Sequence, residues 1–396
     1  MASDPRILML FDVDGVLVHP VGYKVALRAL VDHFAAQMGQ PAMGPGDDEI
    51  AVFEACGLTN EWDSGAMCIS ALLLAALESR PDLRRVTLDD TLAAVRGSGV
   101  QLSRPDFIGA AREIAHHHPD GHLPAVHYLA LLSERTDPAN LPLLRALLGD
   151  VYDITRTPTT RVFQTYTLGS ERFAATYGQP APFESNSYLA DYDIPLLSGE
   201  NRDRLLRWCH QPRHGAAIFT ARPSLPPADL PADEPPGDPP TGYAPEAELA
   251  VELIGLAGRL PLIAQGRVGW LAWRYGRGSA EYIKPSPVQA LASIGAAASG
   301  SETGALEAAA ALVERGELAG PLAALADRRT QVIVFEDTAG GIRAARRAVE
   351  LLGHTGLEVA SEGVGVSPQA DKRAALAQVA DHVVDDINAG LALVWD

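Results

Sequence analysis

An apolar run near the start of the chain, Ile7 to Phe11, stops at Asp12-Val13-Asp14-Gly15. Continuous apolar character bounded by a glycine reads as a strand covered on both faces, the kind found in parallel sheets. Parallel strands need crossover connections, so such a strand calls for helices and partner strands elsewhere in the chain. It also poses a problem. Aspartate is a poor strand former and is seldom buried without a partner. Two of them at the end of a buried strand require a cation or open water.

The partner strands come late. From about 22 to about 210 the pattern is helical, as in "YKVALRALVDHFAAQMG", "NEWDSGAMCISALLLAALESR" and "PTTRVFQTYTLGSERFAATYG". Strand character returns at "GAAIFTAR" (215–222) and again at "QVIVFED", "GLEVASEGVG" and "ADHVVDDI", with a short apolar run at "LPLIAQG" between. One strand before the helical block and several after it imply a discontinuous core, residues 1–17 and 213–396, interrupted by a helical domain over 18–212. The expected fold class is a doubly wound parallel α/β sheet with a large inserted helical domain. The stretch 223–245, rich in proline, reads as a surface loop or a mobile segment. The Ala/Gly-rich stretch 295–328 reads as a helical insertion or a loose connection.

The chain has 396 residues, 47% hydrophobic and 21% charged, enough for two soluble domains with a core each. Its formal charge of −18, from 50 acids against 32 bases, disfavours nucleic acid and anionic membrane as partners. A small anionic substrate therefore needs a locally positive site, most simply a bound cation. Three cysteines without a Cys-x-x-Cys spacing indicate neither a disulfide framework nor a zinc knuckle, and a cytoplasmic location is expected. The apolar stretch Ile69 to Leu77 is too short to span a bilayer, and no secretory pattern opens the chain.

Ligands of open parallel sheets bind beyond the carboxyl ends of the strands. Asp12 and Asp14 follow the first strand, Thr220 the second, and Glu336-Asp337 the "VIVF" strand, while Lys284 lies in a loop between the last two. Carboxylates gathered in a low-dielectric cleft repel one another. A hard divalent cation with oxygen ligands removes that conflict, and Mg²⁺ suits a site of one to three carboxylates that also holds a phosphate.

These four stretches, "DVDGVL", "IFTAR", "YIKPSP" and "VIVFEDTAGGIRAA", resemble in order the four motifs of the haloacid dehalogenase (HAD) superfamily of aspartyl phosphotransferases. The last has the form used by the branch that includes β-phosphoglucomutase and many sugar-phosphate phosphatases. The inserted block matches by position, as a helical cap of the C1 type, and is larger than usual for that type. The resemblance implies a Rossmann-like core with the cap over its strand ends. It implies Asp12 as nucleophile and metal ligand, and Asp14 as general acid, then general base, with its carbonyl on the metal. Thr220 and Lys284 would bind the transferring phosphoryl group, with Gly15, Ala221 and Arg222 as further substrate-binding positions. Glu336 and Asp337 would complete the Mg²⁺ site. Asp14 speaks for a phosphate ester or a phosphosugar rather than a carbon–halogen bond or a phosphonate. The function implied is a Mg²⁺-dependent phosphatase acting on a small phosphorylated metabolite through an aspartyl-phosphate. A phosphosugar mutase is the first alternative. A catalytically silent member binding protein through its cap and Pro-rich loop is the second.

Two further stretches stand apart. In "TNEWDSG" (59–65), Asn60 can cap a helix with Asp63 in its first turn, and Trp62 beside two acids is a candidate substrate contact. In "HHHPDGH" (116–122), consecutive histidines on a helix point in different directions, so they are not read as a metal site.

Overall fold

The computed structural model describes residues 4–117, 123–237 and 242–395, so most of the histidine-rich stretch (118–122) and part of the Pro-rich one (238–241) lie outside the described residues. The strands are β1 (Arg6–Phe11), β2 (Val18–His19), β3 (Ile194–Pro195), β4 (His214–Phe219), β5 (Leu262–Ile263), β6 (Thr330–Glu336), β7 (Val359–Val366) and β8 (His382–Val384). Six of them form one sheet in the order β5-β4-β1-β6-β7-β8, every neighbouring pair parallel. β2 and β3 form a separate antiparallel ribbon.

β1 is a central strand for the reason its sequence gives. Leu8 to Phe11 are buried, and successive side chains feed opposite faces. Leu8 and Leu10 join Ala217, Phe219, Val332 and Val334 on one face, against the helices Pro287–Ser299 and Ala339–His354. Met9 and Phe11 join Ile218, Ile333 and Phe335 on the other, against Glu246–Leu253 and Ile387–Trp395. Phe11 and Phe335 lie in register and stack with ring centroids 4.9 Å apart. Burying each such side chain is worth about 1.5–3 kcal/mol. The sheet is therefore doubly wound.

The chain divides into two units, residues 1–20 with 193–396, and residues 21–192. The second unit is all helix among its described residues, from Gly22–Gln37 to Tyr188–Tyr192. Its core gathers Leu30, Phe34, Phe53, Leu73, Phe107, Leu144 and Phe163. Buried Asp63 accepts from the Ala125 amide at 2.9 Å and from the Tyr152 hydroxyl at 2.6 Å, tying Glu61–Ser79 to the start of Pro124–Arg135.

The division differs from the sequence-based boundaries at 17/18 and 212/213. Residues 193–212 belong with the sheet: β3 pairs with β2, and the helix Gly199–Cys209 buries Leu205 in the core on the Met9–Phe11 face. An amphipathic stripe shows that a helix has a core to cover, not which one.

Two open readings are narrowed among the described residues. The Ala/Gly-rich stretch holds a well-packed helix, Glu302–Arg315, whose alanines let it lie close to Pro287–Ser299; Ala305 sits under Gly295, where an added Cβ would come within 3.1 Å. The described part of the Pro-rich segment is pinned. Asp229 accepts from the Glu302 and Thr303 amides (3.0 and 2.8 Å) and from the Ser301 and Thr303 hydroxyls (both 2.7 Å), capping that helix from outside.

Candidate active site

The chain runs from β1 outward on one side through β4 to β5, then returns to the other side for β6, β7 and β8. The order thus reverses around β1, and the crevice at such a switch is where open α/β sheets bind ligands. The ends of β1, β4 and β6 deliver Asp12, Thr220 and Glu336-Asp337 there.

Asp12 is buried, its amide donating to the Phe335 carbonyl at 3.0 Å, while its Oδ1 accepts from the Val13 amide at 2.8 Å. The chain then turns sharply, with the Leu17 and Val18 amides donating to the Val13 carbonyl. Gly15 is needed twice over. Its φ is +74°, and a Cβ there would stand 2.5 Å from Asp337 Oδ2.

Lys284 Nζ lies 3.0 Å from Asp12 Oδ1 and 2.6 Å from Glu336 Oε1, and also donates to the Phe219 carbonyl at 3.3 Å. Burial pulls the ammonium down, but the Asp12 and Glu336 carboxylates outweigh it and hold Lys284 above the ordinary lysine range. Glu336 is fully buried; its second oxygen accepts from the Thr338 hydroxyl at 3.0 Å. The carboxylate packs against Gly341, where any Cβ would collide with it at 1.8 Å. Burial, then the Asp12 charge, push Glu336 above the usual carboxylate range, and the same two causes raise Asp337 against the opposing Lys372. Lys372 Nζ sits 2.6 Å from Asp337 Oδ2.

One oxygen each from Asp12, Glu336 and Asp337 can be chosen so that all lie within 4.8 Å of one another. Hard oxygen donors at this spacing, in a cradle that Gly15 keeps open, fit a hard divalent cation. Of the three, Glu336 is the least ready ligand, because both its oxygens already have hydrogen-bond donors.

Thr220 is buried at the end of β4, its Oγ1 accepting from the Arg222 amide at 3.3 Å. Ala221 is exposed beside it. Arg222 is turned to carboxylates rather than to the Asp12 side: Nε lies 2.9 and 3.0 Å from the two Asp14 oxygens, and Nη2 lies 2.6 Å from Asp14 Oδ1 and 2.9 Å from Asp193 Oδ2. The Asp14 carboxylate is thus outside the Asp12–Glu336–Asp337 cluster, leaving its backbone carbonyl for the role the resemblance implies. Trp62 lies in the helical unit, 8% exposed, in its hydrophobic core and against Tyr152 with ring centroids 5.4 Å apart. Asn60 caps that helix as expected, accepting from the Trp62 amide at 2.9 Å. In that setting Trp62 packs within the helical unit.

Sequence reading passed over Gln289. It is fully buried; it accepts from the Lys284 amide at 3.0 Å and donates to the Thr220 and Ile263 carbonyls at 2.7 and 3.0 Å. One side chain thus clips together the Lys284 loop and the ends of β4 and β5. The signal available was an amide in the largely apolar "PVQALASIGAAA".

No protein-family model and no curated protein sequence matches this chain. Among solved structures, an X-ray structure from the Northeast Structural Genomics Consortium is similar over 98% of this chain and 97% of its own, with a TM-score of 0.64 at 13% identity. That likeness is one of fold alone. Phosphatase Tt82 from Thermococcus thioreducens (TM-score 0.41, 16% identity, 91% of this chain and 92% of its own) is more distant. So is YfnB from Bacillus subtilis, described as a HAD-hydrolase bound to magnesium (TM-score 0.37, 10% identity, 99% and 100%). Likenesses that faint carry no argument about this chain's chemistry. No described helix is long and apolar enough to cross a membrane.

Proposed function

We propose that this chain is a Mg²⁺-dependent phosphatase of the HAD type, hydrolysing a small phosphorylated metabolite through an aspartyl-phosphate. The observation that carries the reading is the buried Asp12 carboxylate at the switch point, 3.0 Å from Lys284 and clustered with Glu336 and Asp337. The order of the four motifs supports it independently.

In this reading Asp12 and Asp337, with Glu336 beside them, hold the cation, which when bound draws off negative charge from a phosphate ester. Asp12 attacks phosphorus, forming an acyl phosphate as the ester P–O bond breaks. Asp14 gives its proton to the departing alkoxide, then takes one from the water that cleaves the acyl phosphate, returning both groups to their starting states. Lys284 neutralises charge shared between Asp12 and the phosphoryl oxygens, and Thr220 donates its hydroxyl to them. Dividing one displacement into two matters because phosphate monoester hydrolysis is among the slowest uncatalysed reactions.

The test is turnover of p-nitrophenyl phosphate by the whole chain with Mg²⁺, alongside Asp12→Asn. Turnover that chelation abolishes, that Mg²⁺ restores and that Asp12→Asn lacks is the expected result. Full activity in excess chelator, or an active Asn variant, overturns the mechanism. A panel of phosphorylated metabolites then identifies the substrate.

A further inference from the structure

Arg222 stands at a position expected to meet substrate, yet its guanidinium is 1% exposed and lies between two acids. Asp193 is 1% exposed as well, so withdrawing Arg222 toward a phosphate would strip a buried carboxylate of this partner. Asp14, by contrast, is 34% exposed and open to a reacting group. The guanidinium is a planar fork, and with Nε reaching both Asp14 oxygens and Nη2 one of them, it holds the carboxylate's plane as a lysine's point charge cannot. Asp193 immediately precedes β3, and Asp14 bridges to Val18 at the start of β2. One side chain therefore joins the loop that carries the acid to the ribbon beyond it.

We propose that Arg222, anchored by Asp193, is a positioning residue that sets the orientation of the Asp14 carboxylate for proton transfer. The proposal rests on the phosphatase reading, in which Asp14 is the acid. Proton transfer in a transition state depends on the donor's direction as well as its presence, and a carboxyl rotating about its Cβ–Cγ bond loses that direction.

The experiment compares wild type, Asp193→Asn and Arg222→Lys in the full chain with Mg²⁺, on aryl phosphates whose phenols range from acidic to weakly acidic. The ratio kcat/KM reports only the steps through loss of the phenol. A good leaving group needs no proton, a poor one does. Asp193→Asn is expected to keep kcat/KM for p-nitrophenyl phosphate within about threefold while losing tenfold or more on phenyl phosphate, and both variants are expected to lose more on phenyl phosphate than on p-nitrophenyl phosphate, which steepens the dependence on leaving-group pKa. Asp193→Asn leaves Arg222 and Asp14 in place, so its effect isolates the anchor. A parallel fall across the series, or none, in both variants shows a merely structural ion pair and overturns the proposal. A wild type inert toward every ester overturns the phosphatase reading itself, a distinguishable failure.

Discussion

At the residue scale, the site is a set of like charges that tolerate one another through Lys284. Replacing it by methionine leaves Asp12 and Glu336 buried together without their shared cation. Breaking a buried pair from one side costs about 3–5 kcal/mol. Lys284→Met is therefore expected to lower urea stability by that order in the absence of metal, and Mg²⁺ is expected to return part of the loss; an unchanged midpoint would show that the ammonium does not compensate these acids. The carboxyls also make a pH prediction. Burial and then Asp12 raise Glu336 above 4.5 and Asp337 above 3.8. A raised folded value means a contribution fully present below the unfolded value and lost as pH rises through the folded one. A divalent cation needs the same groups ionised. The gain in melting temperature on adding saturating Mg²⁺ is thus expected to grow as pH climbs from the ordinary carboxylate range upward. A gain that is flat in pH contradicts the assignment. Much of this cluster was readable in the sequence, because a carboxylate ending a buried strand has few explanations. The direction of Arg222 was not, since spacing along the chain places a backbone atom and leaves a long side chain free to choose between a phosphate and two acids.

At the element scale, strands in a parallel sheet announce themselves by being apolar throughout, and β1, β4 and β6 were legible for that reason. The helix Gly199–Cys209 was legible as a helix and not as part of the layer on the Met9–Phe11 face of the sheet. The described part of the Pro-rich segment makes no regular element, as its composition indicated, but composition reports nothing more. It says nothing of a single acid that reaches a helix start far along the chain. Asp229 is that acid. Burial raises its carboxyl, but hydrogen bonds from Thr303 and Ser301 prevail and hold it below 3.8. Its contribution is accordingly present above that value and lost as pH falls through the depressed one. Asp229→Ala is expected to cost about 1–2 kcal/mol, the usual worth of a helix cap, and to quicken proteolysis within 223–245. Protease resistance equal to wild type would mean that the prolines, not the cap, hold the segment.

At the scale of the whole molecule, the formal charge of −18 bears on the phosphate ester proposed as substrate. On the phosphatase reading, the long-range field would repel the substrate that a bound cation and Lys284 would attract. Salt screens the first more than the second, since the Debye length shrinks to about 8 Å at physiological ionic strength. Raising KCl toward that level is expected to increase kcat/KM for a dianionic ester at fixed Mg²⁺. A decrease would show that the attraction reaches further than the site. The β2–β3 ribbon has another consequence. The chain departs the sheet unit along Val18–His19 and comes back along Ile194–Pro195, two segments hydrogen-bonded side by side, with the Leu196 amide donating to the Leu17 carbonyl at 2.9 Å. Paired antiparallel residues stand about 5 Å apart, a gap that a short turn can close. Topologically, residues 21–192 are thus an outsized hairpin loop. Because the ribbon fixes both ends of that loop, its length and content can be exchanged without shifting the register of β1 against β4, and the chemistry at the strand ends can stay constant while what is threaded through the ribbon varies.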